Sequence, residues 1–276
     1  MPLKIATVAI DPWWFSAWRV GGGAATLFVL LVLLGRSAAP PPGRAFIGVA
    51  LAQVAGLVAF STLALRFGAV ATVAALVFTM PLFTAIFALP LLGERLSRVR
   101  VGWLVTGACG IALIASGMRG AELIGGALAT VAGASWALGN VLSRRAAYRI
   151  DLVRLAAWQQ LIAALPLIVV AFAFGKPVAV AHLSASVVVA SVFVAVVGSG
   201  LAWWWWARSL HALPANTVAL ASFAIPVIGT LSAWAQLHAA PAPRTAAGLA
   251  IVVVALCGSV LTARPDDLVV AADVAA

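Results

Sequence analysis

The chain has 276 residues, is 64% hydrophobic, carries only 9% charged residues and has a formal net charge of +10. Soluble domains carry roughly 25% charged residues, so a chain of mean hydropathy +1.14 has too little polar surface to cover a water-soluble fold. The positive charge does not indicate nucleic acid, because such binders gather basic residues on one face or groove, whereas here they stand in short links between apolar runs.

Nine apolar runs are predicted as membrane-spanning helices: Trp13–Leu34, Ala45–Leu65, Ala69–Leu92, Val101–Met118, Leu123–Ser143, Leu152–Phe174, Leu183–Ala207, Pro214–Leu237 and Thr245–Ala263. Each is about 18–25 residues, enough to cross the hydrocarbon core as a helix. The runs are continuous and not alternating, which argues against a β-barrel. The expected fold is an all-α integral membrane protein. Met1–Ile10 lacks the apolar core and small-residue cleavage site of a signal peptide.

The first span holds Arg19, a charge within the apolar layer, and the triplet Gly21–Gly23. That triplet lacks the Lys-Ser/Thr of a phosphate loop, so close helix packing is the better reading. Gln53 lies mid-span in the second run, and Thr79 precedes Met80-Pro81 in the third. Trp136 and Asn140 in the fifth are four apart and share a helix face. Gln159 and Gln160 follow in the sixth, and Ser199 stands between Gly198 and Gly200 in the seventh. Next come four tryptophans, Trp203 to Trp206, and then Arg208. On a helix they diverge by about 100° per residue, so no single aqueous face presents them all. An aromatic belt at the membrane interface fits them, and one or two can also line a cavity. Ser222 and Pro226 in the eighth span fall in the second-half counterpart of Val70–Pro81. Cys109 and Cys257 read as small buried hydrophobes.

Polar groups inside a bilayer are costly and face the bundle interior. The candidate substrate-binding residues are therefore Gln53, Thr79, Trp136, Asn140, Gln159, Ser199, Trp203 and Ser222, with Pro81 and Pro226 as helix kinks that shape a cavity. For each, a purely packing role competes. No Asp or Glu lies deep in a span, and the histidines stand at span ends. No catalytic constellation, metal site or cofactor is expected.

Alternate links fall on opposite sides of the membrane. One side collects eleven basic residues: Arg36, Arg44, Arg95, Arg98, Arg100, Arg144, Arg145, Arg149, Arg154, Arg208 and Arg264. The other collects five: Lys4, Arg66, Arg119, Lys176 and Arg244. The positive-inside rule makes the richer side cytoplasmic, with the C-terminus inside and the N-terminus outside.

The halves repeat. Ile10–Arg19 matches Ile150–Gln159 at an offset of 140, Ala55–Phe60 matches Ser199–Trp204 at 144, and Val70–Pro81 matches Ala215–Pro226 at 145. The second half has five spans and the first has four, starting at the partner of the second half's second span. An odd repeat unit inverts one half relative to the other and puts a shared site near the midplane. The expected organisation is two inverted five-helix repeats lacking the first helix of repeat 1. The first repeat is 10–118, the second is 121–263, and 264–276 is a cytoplasmic tail.

These residues resemble the EamA-like branch of the drug/metabolite transporter superfamily over roughly Ile10 to Ala263. The carriers are DPWWFSAWR (Asp11–Arg19), LALRFGAVATVAAL (Leu63–Leu76), Met80-Pro81 followed by LLGERLS (Leu91–Ser97), SWALGNVLSRR (Ser135–Arg145) and ARSLHALPANTVAL (Ala207–Leu220). The resemblance implies ten helices, two inverted repeats and export or exchange of small metabolites. Against it, the first helix is absent, through a late start or a true nine-span variant. The Gly-Glu of Glu94 also has no second-half partner in LHAAPAP (Leu237–Pro243). The expected function is an exporter of small organic metabolites working by alternating access in a bacterial cytoplasmic (inner) membrane. The alternative is a non-transporting scaffold or accessory subunit. Expected partners are the lipid bilayer and a small-molecule substrate, with no nucleic acid, and a homodimer stays open.

Overall fold

Two aspartates open two of the helices. Asp11 Oδ1 accepts the backbone N–H of Trp13 at 2.9 Å. Asp151 Oδ1 accepts those of Val153 and Arg154 at 2.8 and 3.1 Å. Each carboxylate satisfies N–H groups that a first helical turn leaves unpaired and sits at the positive end of the helix dipole, a contribution of about 1 kcal/mol. The helices they start are α1 (Pro12–Leu33) and α7 (Leu152–Phe174).

The computed structural model describes residues 10–93, 97–146, 151–176, 183–212 and 243–262, and every regular element among them is helical. Between α1 and α7 lie α2 (Ala45–Ala64), α3 (Val70–Val77), α4 (Met80–Leu92), α5 (Arg98–Ser116) and α6 (Ala121–Ala146). After α7 come α8, residues 185–212, and α9 (Pro243–Leu261). Both α2 and α8 change register midway, through π-helical stretches at Leu51–Gly56 and Val194–Leu201.

Among the described residues, six spans are long and apolar enough to cross a membrane: Pro12–Leu33, Ala45–Ala64, Thr72–Leu92, Ala121–Ala146, Leu152–Phe174 and Ala185–Arg208. Two more of the nine expected spans are helical but shorter in their apolar part, Val101–Ser116 and Pro243–Ser259. In α5 the arginines at 98 and 100 occupy the first turn and leave less apolar length. The expected eighth span, Pro214–Leu237, with Ser222 and Pro226, lies outside the described residues, as do Glu94 and the tail 264–276.

The helices form two compact units, and each draws on both halves of the sequence. One comprises Met1–Thr62 with Tyr148–Ala212, the other Leu63–Ala147 with Leu213–Ala276. In the first, α1 packs along α7 and along the π stretch of α8, while α7 packs on α2 and its π stretch. Small residues permit this approach. A Cβ on Gly22 would come within 2.8 Å of the Ala195 Cβ, and one on Gly23 within 3.0 Å of the Ser199 Cβ and 3.1 Å of the Gly200 nitrogen. The close packing expected of Gly21–Gly23 is therefore present at Gly22 and Gly23. Leu27 and Leu31 fill the adjoining core with Val153, Ala156 and Ala157, flanked by Trp203 and Trp204. Lipid tails are as apolar as leucine, so such contacts stabilise through fit and dispersion and not by escape from water.

In the second unit α5 and α9 meet backbone to backbone. A Cβ on Gly110 would come 2.8 Å from the Gly248 carbonyl oxygen, and one on Gly248 would come 2.7 Å from that of Gly110. Leu82 and Val252 pack there with Leu104, Ile111 and Cys257. Cys257 is half-buried, but Cys109 is exposed, contrary to the expectation for it. Its neighbour Gly110 takes the face of α5 that meets α9, which turns Cys109 away from that contact.

Candidate functional site

Four expected site residues fall in the first unit: Gln53, Gln159, Ser199 and Trp203. Gln53 lies inside the π stretch of α2 and is 4% exposed, and Ser199 lies inside that of α8 and is also buried. A π turn shifts the backbone ladder from i−4 to i−5 pairing and leaves carbonyls open to side-chain donors. Gln160 on α7 supplies one such donor: its Nε2 donates to the Ser199 carbonyl oxygen at 2.9 Å. The adjacent Gln159, about 100° round the helix, has a different partner. Its Oε1 accepts from Trp203 Nε1 at 3.3 Å. Among the described residues the Gln160 Oε1 is buried without a hydrogen-bond partner.

The tryptophan row divides as divergence on a helix requires. Trp203 turns inward to Gln159, Trp204 packs with it on the Leu27–Leu31 core, and Trp205 faces outward at 59% exposure. Near the other end of α1, the buried Ser16 Oγ and Thr62 Oγ1 share a hydrogen bond of 2.7 Å.

Thr79, Pro81, Trp136 and Asn140 fall in the second unit. They gather at the break between α3 and α4, where Phe78 and Thr79 form a turn. Pro81 sits in the first turn of α4, a position that needs no N–H donor. The chain therefore breaks just before the proline. Thr79 is fully buried, and its hydroxyl donates to the Leu76 carbonyl at 2.6 Å. Gly133 of α6 lies against this turn, where an added Cβ would come 2.7 Å from the Val77 carbonyl oxygen. One and two turns further along α6, Trp136 packs edge-on against Phe78 at 6.1 Å, and Asn140 Nδ2 donates to Met80 Sδ at 3.4 Å. Thr84 Oγ1 reaches the same sulfur at 3.4 Å.

One constellation escaped sequence reasoning. The linker after α1 is held by the start of α7. Asp151 pairs with Arg36, Arg154 donates to the carbonyls of Ala39 and Pro40, and Trp158 Nε1 donates to the Ala38 carbonyl at 3.0 Å. Trp158 also packs edge-on against Phe28 and Phe46. Prolines in a linker offer carbonyls and no N–H donors. An arginine and a tryptophan in the next turns were the signal available. Among the described residues, no group of three or more His, Cys, Asp or Glu could hold a metal ion.

The model of the EamA-like transporter family matches residues 3–116 and 123–261. The chain is 26% identical over 242 residues to the uncharacterized transporter YoaV of Bacillus subtilis (strain 168), covering 86% of this chain and 82% of YoaV. It is 26% identical over 210 residues to YvbV, an uncharacterized transporter of the same organism, covering 75% and 68% of the two chains. A solved crystal structure superimposes with a TM-score of 0.68 at 22% identity, covering 95% of this chain and 93% of its own, which shows a shared fold.

Proposed function

The chain belongs to the EamA-like transporter family and is a multi-pass membrane transporter, and from that premise we propose that it exports small organic metabolites by alternating access. The two inverted repeats are residues 10–118 and 121–263, with 264–276 as a cytoplasmic tail. Three observations support the repeats. The family model matches in two segments. Asp11 and Asp151, 140 apart, cap α1 and α7 in the same way. The π stretches Leu51–Gly56 and Val194–Leu201 overlap at the offset of 144 that relates Ala55–Phe60 to Ser199–Trp204.

The observation that carries the reading is that each π stretch holds a buried polar side chain, Gln53 in one and Ser199 in the other. π turns inside helices are frequent at functional sites, and polar groups kept within a bilayer mark substrate paths. In this reading Gln53, Gln159, Ser199 and Trp203 contact the substrate. Trp136 and Asn140 form a second set at the α3–α4 break, which Thr79 closes and Pro81 follows. Ser222 also contacts the substrate, and Pro226 kinks the eighth span.

The test is flux through proteoliposomes containing the full-length chain, over a panel of labelled amino acids, organic acids and sugars. At least one member should move. Gln53→Leu and Gln159→Leu should each slow it about tenfold, the loss expected for one polar contact of roughly 1.4 kcal/mol, with insertion unchanged. No flux by the wild type returns the chain to the scaffold reading. Unchanged flux in both variants moves the site elsewhere.

The eleven-to-five division of basic residues supports an inner-membrane orientation with a cytoplasmic C-terminus. In a background lacking Cys109 and Cys257, cysteines at positions 97 and 146 should label only from the cytoplasm, and one at 121 only from outside. Labelling at 121 from the cytoplasm overturns the orientation.

A further inference from the structure

Arg19 stands seven residues into the membrane-spanning helix α1, about 10 Å along its axis at 1.5 Å per residue. It is partly buried, and among the described residues its side chain makes no hydrogen bond, ion pair or ring contact. The described carboxylates stand at helix starts: Asp11 caps α1, Asp151 caps α7 and pairs with Arg36, and Glu122 lies in the first turn of α6. A charge without a counter-charge is costly in a bilayer, and such residues mark substrate or ion paths.

Helix geometry places Arg19 on one face with Ser16, three residues before, and Gly23, four after. The contacts of both are known. Ser16 shares its hydrogen bond with Thr62 of α2, and Gly23 packs on Ser199 and Gly200 in the π stretch of α8. Arg19 therefore stands between a buried hydroxyl pair and the π stretch that holds Ser199. Two hydroxyls that share one hydrogen bond retain one O–H free to donate. A guanidinium with an O–H donor one turn away on the same face is a donor set that suits an anionic oxygen group.

We infer that the transported metabolite carries a carboxylate or phosphate, and that Arg19 is its counter-charge beside Ser16 and Thr62. This rests on the transporter reading above and adds the class of substrate. A lipid phosphate has the same chemistry, since an arginine near a helix end can extend toward the headgroups.

The experiment uses full-length protein in proteoliposomes and paired probes that differ only at the acidic group: L-alanine against L-alaninamide, succinate against succinamide, and glycerol 3-phosphate against glycerol. Each is assayed in phosphatidylcholine alone and with added phosphatidylglycerol. The acidic member of at least one pair should move faster than its uncharged-end partner. Arg19→Gln should lower that ratio about tenfold or more, as expected for losing a charge-assisted contact. Arg19→Lys should keep part of it. A general loss of folding slows both members alike and shows as reduced insertion, whereas an unchanged ratio in an Arg19→Gln protein that inserts and carries flux normally overturns the inference. So does a wild type that moves only probes without an acidic group, while the transporter reading stands. An Arg19→Gln defect seen only with phosphatidylglycerol assigns the arginine to lipid and also overturns it. Flux of no probe by the wild type sinks the transporter reading and the inference together.

Discussion

Gln160 holds the carbonyl of Ser199 through its amide Nε2–H at 2.9 Å, inside a stretch where the helical ladder has changed register. Interhelical hydrogen bonds in membranes stabilise by about 0.6 kcal/mol on average and about 1.7 at most. Removing this one leaves a carbonyl without its donor in an apolar layer, so the upper part of that range applies. Against it stands the unpartnered Oε1 of the same side chain, whose removal gives some of the loss back. Gln160→Leu should therefore destabilise by about 1 kcal/mol, which for a chain of this size lowers Tm by roughly 2–4 °C. Thermal denaturation in bicelles reads this, and a Tm equal to the wild type would mean that the π stretch does not depend on Gln160. In the sequence Gln159 and Gln160 were equivalent: two amides about a third of the way into one span. Nothing local separates them, because their partners, the Trp203 indole and the Ser199 backbone, are about forty residues away. Trp136 and Asn140 were legible as sharing a face, since a spacing of four fixes that. What the face meets, Phe78 and Met80, was not.

At the level of elements, Asp151 has two roles that substitutions can separate. Its Oδ1 caps α7 and its Oδ2 pairs with Arg36, which is 48% exposed on its side chain. The cap is worth about 1 kcal/mol, and an exposed ion pair about 0–1. Asp151→Asn keeps an oxygen for the cap and should lie within about 0.5 kcal/mol of the wild type. Asp151→Ala loses both roles and should cost about 1–2 kcal/mol. Raising the salt should close the gap between wild type and Asp151→Asn, because screening acts on the pair. The gap between Asp151→Asn and Asp151→Ala should persist. Denaturation at low and high salt reads both, and equal stability of the two variants at every salt concentration excludes a capping role. The sequence marked this element start through the match of Ile10–Arg19 to Ile150–Gln159. A helix start is readable because its cap is a local side-chain event. The π stretches were not readable. A π turn is set by how neighbours pack and has no composition of its own, so Leu51–Gly56 and Val194–Leu201 looked like ordinary apolar helix. The break before α4 was half legible: Pro81 signalled it, but its location at Phe78 and Thr79 depends on Gly133 and on the hydroxyl of Thr79.

For the whole molecule, the six described spans that are long and apolar enough to cross a membrane all fall among the runs read from length and hydropathy, although Pro12–Leu33 carries Arg19 inside it. Which spans pack together did not follow, because each compact unit takes helices from both halves of the chain, and order along a sequence does not state that pairing. The energy source is a property of the same scale. A carrier that moves a proton with its substrate commonly holds an Asp, Glu or His within its spans. The seven acidic residues are Asp11, Glu94, Glu122, Asp151, Asp266, Asp267 and Asp273, and none lies within the apolar interior of a predicted span. His182, His211 and His238 stand at the ends of predicted spans. An outward substrate gradient needs no proton site if the gradient itself is sufficient. We therefore hypothesise facilitated efflux or exchange without stoichiometric proton coupling. The measurement is substrate movement in proteoliposomes with an imposed pH gradient and the membrane potential clamped by potassium and valinomycin. Substrate should equilibrate to the same final distribution with and without the pH gradient, and a protonophore should leave that distribution unchanged. Uphill accumulation that follows the pH gradient and collapses with the protonophore would reject the hypothesis and require a titrating group on the transport path.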